Sequence, residues 1–206
     1  MRRLRLLWMI AACHDAGPPA IDATDGAAPV SGLFVTWGAH PQLPGPLSAD
    51  VTLSQVTFQI DRFEVQSDAD GATSHARYPL TWSASSAPAP EAFPDAPSGV
   101  YSRIAITLGG FFANAYEIDG TWLDRGKAKP FHIVDRVTLK TSLDVSKVLM
   151  AGGATTIGID VGLADAIAGV DFHRLHEHDG TLELLTGDPQ LLGFRARLAH
   201  AFRADD

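Results

Sequence analysis

Asp171-Phe172-His173-Arg174-Leu175-His176-Glu177-His178-Asp179 is the densest group of side chains in this chain that could do chemistry. Three imidazoles fall within six residues, with carboxylates beside them. Neutral imidazole is the commonest protein metal ligand, and mixed His and carboxylate sets suit zinc, copper or nickel. In an extended chain His176 and His178 would share one face and His173 would point the other way. In a helix His173 and His176 would instead be neighbours. Two readings stay open: a metal site made by His173, His176 and His178, or an exposed polar loop before the last strand. Asp68-Ala69-Asp70-Gly71 has the opening of a calcium loop but lacks its third spaced acid and closing Glu. A hairpin turn built on Asp and Gly explains it better.

Other chemistry has no anchor. The chain holds no Gly-x-Ser-x-Gly elbow, no phosphate-binding glycine loop and no His-Glu-x-x-His pair. With 24 Asp and Glu residues, close carboxylate pairs arise by chance, so they do not point to a glycosidase. No catalytic residue is assigned and no enzyme activity is expected. Trp37, Trp82 and Trp122 could line a sugar-binding face, although such residues more often fill a sandwich core.

Charge narrows the partners. The formal net charge is −8. Residues 1–12 hold three of the 16 basic residues and no acid, so the chain from residue 13 carries 13 basic against 24 acidic side chains, a net −11. Nucleic acid is excluded as a partner, because phosphate binding needs a basic patch. An anionic membrane surface is disfavoured for the body on the same ground.

The single cysteine, Cys13, cannot form an internal disulfide or a Cys-rich zinc site. It follows a basic stretch, Met1-Arg2-Arg3-Leu4-Arg5, and an apolar run, Leu6-Leu7-Trp8-Met9-Ile10-Ala11-Ala12. Basic, apolar and small segments in this order form a secretory signal, too short to span a bilayer as a helix. Ile10-Ala11-Ala12-Cys13 resembles the lipobox of bacterial lipoproteins. That resemblance implies cleavage before Cys13, a diacylglycerol on its thiol and an acylated new amino group. Each buried methylene of such chains contributes about 0.8 kcal/mol of anchoring. Residues 1–12 are then a lipoprotein signal peptide. Residues 13–30, rich in Ala, Gly, Pro and Asp, read as a flexible tether. The expected location is extracytoplasmic and lipid-anchored, in the outer membrane of a Gram-negative bacterium.

The elements that must position these groups are strands. Glycine and proline, 19 and 13 in number, fall between apolar runs as turn residues do in all-β proteins. Pro97 to Gly109 reads as a central strand with Val100, Ile104, Ile106 and Leu108 on one face and Tyr101 on the other. Val51 to Val65 is the longest β-rich run. Its alternation changes phase twice, which predicts bulges near Ser54-Gln55 and Asp61-Arg62. Phe111 to Ile118 is a further strand, with Asp119-Gly120 as a hairpin turn into Thr121-Trp122-Leu123. Val137 to Val145 and Ile157 to Leu163 alternate cleanly and suggest an adjacent antiparallel pair. Ala164 to Ala168 is one helical turn and Thr181 to Leu185 a last strand. Asp188 caps a C-terminal helix carrying Leu191, Phe194, Leu198 and Phe202 on one side.

Three stretches carry a resemblance: Pro97, Gly99, Tyr101 and Ile104; Tyr116-Glu117-Ile118-Asp119-Gly120; and Gly152-Gly153-Ala154-Thr155-Thr156. Together with the signal and tether, the stretch from Val51 to Leu163 resembles a domain-of-unknown-function family of bacterial surface lipoproteins. The resemblance implies a transthyretin- or prealbumin-like β-sandwich and supplies no catalytic residues. The expectation is therefore a single all-β domain, residues 31–206. It is an antiparallel sandwich of transthyretin or immunoglobulin type with a short C-terminal helix. It would serve as a binding or structural module of the envelope, touching the membrane through its N-terminal lipid and partnered by an envelope protein or glycan. The alternative is a metal-binding envelope protein using the histidine cluster. No cofactor beyond such a metal ion is expected.

Overall fold

The structure, a computed structural model, describes residues 31–68, 72–75, 77–110 and 113–205. Its longest strand, β3 (Val51–Ser67), follows β1 (Gly32–Ala39) and the short β2 (Gly45–Pro46). Along one edge β3 pairs with β2, β4 (Ala72–His75) and β5 (Tyr78–Ser83). Along the other it pairs first with β8 (Tyr116–Asp124) and then with β7 (Gly99–Leu108). Both are antiparallel to β3 and lie end to end. Gln59 sits at their junction, its N–H donating to Ala115 O (3.0 Å) and its carbonyl accepting from Gly109 N–H (2.8 Å). The large sheet therefore forks at Gln59. One arm continues from β7 to β10 (Leu139–Leu149). The other runs from β8 through β9 (Lys127–Asp135) and β13 (Thr181–Leu184) to β12 (His176–His178).

The two expected bulges are present. The β3–β8 register shifts between Leu53 and Gln55, and the β3–β7 register between Ile60 and Arg62. Each extra residue moves the next side chains to the opposite face, so Val51, Leu53, Val56, Phe58, Ile60, Phe63 and Val65 are all buried despite their changing parity. Those side chains meet a second sheet, ordered β14-β11-β1-β6, with β6 at Glu91–Phe93, β11 at Ala154–Val161 and β14 at Phe202–Asp205. Phe58 meets Phe202 edge-on at 5.3 Å, and Phe63 meets Trp37 at 5.4 Å and Phe93 at 6.1 Å. Aromatic pairs at such spacings add to the hydrophobic gain of burial.

The chain is all-β, two packed sheets with a short helix near the C-terminus, as expected. The pairings differ in detail. Both sheets are mixed, because β1 with β11 and β13 with β9 are parallel. β10 and β11, expected as one antiparallel pair, lie in different sheets. Asp119-Gly120 is not a hairpin turn but lies inside β8. A Cβ on Gly120 would meet Phe131 Cζ and Thr52 O, both at 2.5 Å, so packing and not a turn accounts for the glycine. The turn falls at Arg125 and Gly126, both at positive φ. Tyr101 is buried and Val100 half exposed, the reverse of simple alternation, because a third bulge leaves Ser102 unpaired opposite β3. The C-terminal helix α2 (Gln190–Leu198) is shorter than expected, and Phe202 opens β14 instead. Asp188 accepts from Gln190 N–H at 2.8 Å, as its capping role requires. The single helical turn is α1 (Ala164–Ala168).

Bulge length, not bulge chemistry, sets the faces of β3. Asp61→Ala, which keeps the extra residue and loses a partly exposed ion pair to Arg77, should cost no more than about 1 kcal/mol. Deleting Asp61 would turn Phe63 and Val65 outward and should cost more than the about 3–5 kcal/mol of Phe63→Ala. Urea unfolding followed by tryptophan fluorescence ranks the three.

Candidate functional site

Asp135, the last residue of β9, is fully buried. A carboxylate there must be neutralised and hydrogen-bonded or it destabilises the fold. Arg195 of α2 donates from Nε to Oδ2 (2.5 Å) and from Nη2 to Oδ1 (2.9 Å). Tyr116 hydroxyl donates to Oδ2 (3.0 Å), while Thr186 hydroxyl and Val137 N–H donate to Oδ1 (both 3.2 Å). Phe194 of the same helix packs on the Tyr116 ring at 5.5 Å. Burial by itself would raise the Asp135 pKa. The hydrogen bonds from Arg195, the Val137 amide and Tyr116 outweigh it and hold the carboxyl below its ordinary value of 3.8. Burial, followed by the neighbouring Asp135 charge, pushes the Tyr116 phenol up. This closed set bolts α2 to the large sheet and has no lone pair turned outward for a substrate.

The sequence-derived candidates are dispersed. His173 lies on the 3-10 turn Phe172–Arg174, its ring edge-on to Trp122 at 4.7 Å. His176 and His178 are exposed on β12. His178 faces Glu183 Oε1 and Asp179 Oδ2, both at 3.7 Å. The cluster is thus split between a turn and a strand. Among the described residues no group of three or more His, Cys, Asp or Glu side chains is gathered to hold a metal ion. Cys13 and Ala69-Asp70-Gly71 lie outside the described residues. Trp37 and Trp82 are buried in the core, whereas Trp122 is half-buried and stacks on Phe172 at 5.3 Å.

A cleft lined by both signs of charge lies elsewhere. β1 and β11 run parallel in register from Gly32 opposite Ala154 to Ala39 opposite Val161, so their carboxyl ends reach the same edge. A cleft of about 520 Å³ opens there, lined by His40, Pro41, Asp160, Gly162, Ala164, Asp165, Arg203, Ala204 and Asp205. A second hollow of about 330 Å³ shares Gly162, Asp165 and Arg203 with it and adds Arg197 and His200. Pairing places Gly38, Asp160 and Arg203 in one cross-strand row, and Thr36, Gly158 and Asp205 in the next. The glycines make room for the acids. Asp160 lies over Gly38, and Asp205 Cβ stands 3.1 Å from where a Gly158 Cβ would be. Among the described residues, Asp160, Asp165, Asp205, Arg203 and Arg197 form no ion pair or side-chain hydrogen bond. Both signs of charge are free to meet a polar ligand.

Sequence reasoning missed these residues, although one signal was visible. Gly158, Asp160 and Gly162 alternate with the buried Ile157, Ile159 and Val161, marking a polar face of small residues around one acid. Arg203 and Asp205 lie just past the helix expected to run to Phe202, where the sequence carries no strand signal of its own. Comparison of the chain with protein families, with curated proteins and with solved structures found no match.

Asp135 carries the sharpest prediction. Its depressed carboxyl contributes stability that is fully present above the ordinary carboxylate range and is lost as pH falls through the folded value. Asp135→Asn should cost about 3–5 kcal/mol at neutral pH by leaving Arg195 unpaired. The gap to wild type should start to narrow as pH falls below about 4 and close below the folded value. Thermal melts from pH 2 to 8 measure both.

Proposed function

We propose that this chain is a lipid-anchored, extracytoplasmic β-sandwich that acts as a non-catalytic binding module of a bacterial envelope. A signal, lipobox and tether ending at Cys13 and residue 30 are the sequence side of this reading. The structural observation in its favour is the place of β1, the first described strand. β1 is flanked by β11 and β6, and Gly32 N–H is held by Gly153 O at 2.9 Å. A pull from the N-terminal side is taken up at once by an interior strand. The charged cleft lies at the other end of that strand, about 25 Å away for eight residues. An anchor at one end and a free polar cleft at the other is the arrangement a presented binding site needs. The resembled surface-lipoprotein family, the outer-membrane location and an envelope protein or glycan as partner belong to the same proposal.

Mass spectrometry of the protein from its native membrane tests the anchor. The expected result is a new N-terminus at Cys13 carrying lipid on the thiol, and Cys13→Ala should leave the lipid-bearing form absent. An intact Met1 and a free thiol would refute it. The cleft is tested by stability: Asp160→Asn and Arg203→Ala should shift the unfolding free energy by no more than about 0.5 kcal/mol, as expected of side chains kept for a ligand and not for the fold.

A further inference from the structure

The pole where β1 begins differs from the pole where it ends. A hollow of about 280 Å³ lies beside Gly32, and none of the ten residues lining it, Pro94, Ala96, Ser98 and Met150 among them, has an ionisable side chain. Beside it stand three large apolar side chains in water: Val100 is 39% exposed, Val148 55% and Met150 71%. Val100 and Val148 are cross-strand partners on β7 and β10, and Met150 follows Val148 by two residues. They form one patch and not scattered singles. Its rim carries the exposed Asp68, whose N–H donates to Val100 O (3.1 Å), and the exposed Asp95. A hollow with uncharged lining beside an apolar patch is unexpected on a body of net charge −11 from residue 13 onward. Exposed apolar patches beside polar rims mark contact surfaces.

We propose that this pole is a bilayer-contact surface, with Val100, Val148 and Met150 seated in the headgroup region of the membrane that holds the anchor. The inference rests on the lipid-anchor reading above. Residues 13–30 number 18 and span at most about 65 Å even when fully stretched. Ser31 and Gly32, which follow them, line the hollow at this pole, so it is the part of the described body nearest the lipid along the chain. Tethering raises the local concentration of the surface, so a small patch suffices. The rim acids and the acidic body favour a zwitterionic surface over an anionic one.

The test uses the full-length lipidated protein reconstituted in phosphatidylcholine vesicles, with a polarity-sensitive fluorophore on Val148→Cys or, independently, on Met150→Cys. The Cys13 thiol is consumed by lipid and stays unlabelled. Leu192→Cys, on α2 and 73% exposed, is the control. Probes at 148 and 150 should shift to the blue and be quenched by spin-labelled lipid about twofold more than the control, with no gain on adding phosphatidylglycerol. Probes as watery as the control on vesicle-bound protein would overturn the contact and leave the anchor standing. Protein that does not float with the vesicles would overturn both. A blue shift that disappears at one copy per vesicle would assign the patch to a second copy of the chain and also overturn the proposal.

Discussion

A buried strand must satisfy the N–H and C=O groups on both of its edges, and β3 does so along 17 residues by recruiting five partners. The other features of the large sheet follow from that demand. No single neighbour is as long as β3, so β7 and β8 share one edge and the sheet divides at Gln59. A strand of this length also twists, and strict alternation would carry its apolar residues off the core face. The extra residues at Ser54 and Asp61 correct the phase. They let Phe58 meet Phe202 at one end of the core and Phe63 meet Trp37 and Phe93 at the other.

Apolar parity is a local signal, so the strands, the two phase shifts in β3 and the all-β class could be read directly. Partner choice is not local. β10 and β11 are both one-sided strands separated by a short turn, which favours a hairpin. The polar face of β11 instead looks out from the small sheet, and β1 takes its edge in a parallel register. The helical spacing of Leu191, Phe194 and Leu198 was real but did not extend to Phe202. Ala201 N–H bonds to Leu198 O to close the helix, and β14 then gains a sheet edge that a longer helix could not use. The histidine cluster shows the opposite case. Closeness in sequence put three imidazoles within six residues, but a 3-10 turn and a strand direct them to different neighbours.

Charge is partitioned as sharply as backbone pairing. Asp135 is the one buried charged residue among those described. It is tolerated because Arg195, Tyr116, Thr186 and the Val137 amide all turn toward it. The cost of leaving such a group unpaired ties α2 to β9, and α2 with the turn after it in turn delivers Arg197 and His200 to the hollow beside the cleft. The structural ion pair and the candidate binding surface are therefore linked through one helix. The buried face of α2 fixes where its exposed face can present charge.

β1 gives the molecule its direction. Because it pairs in parallel with β11, both strands finish at the same edge, and the loops that follow them, His40-Pro41 and Gly162 to Ala164, build one cleft. Both also start at the same edge, beside a hollow lined by uncharged residues. An antiparallel pairing would have mixed a start and an end at each pole and blurred the two. Parallel pairing separates a hollow lined by uncharged residues from a charged cleft by the length of one strand. A body held by its N-terminal side then has its polar cleft on the side facing away from whatever holds it.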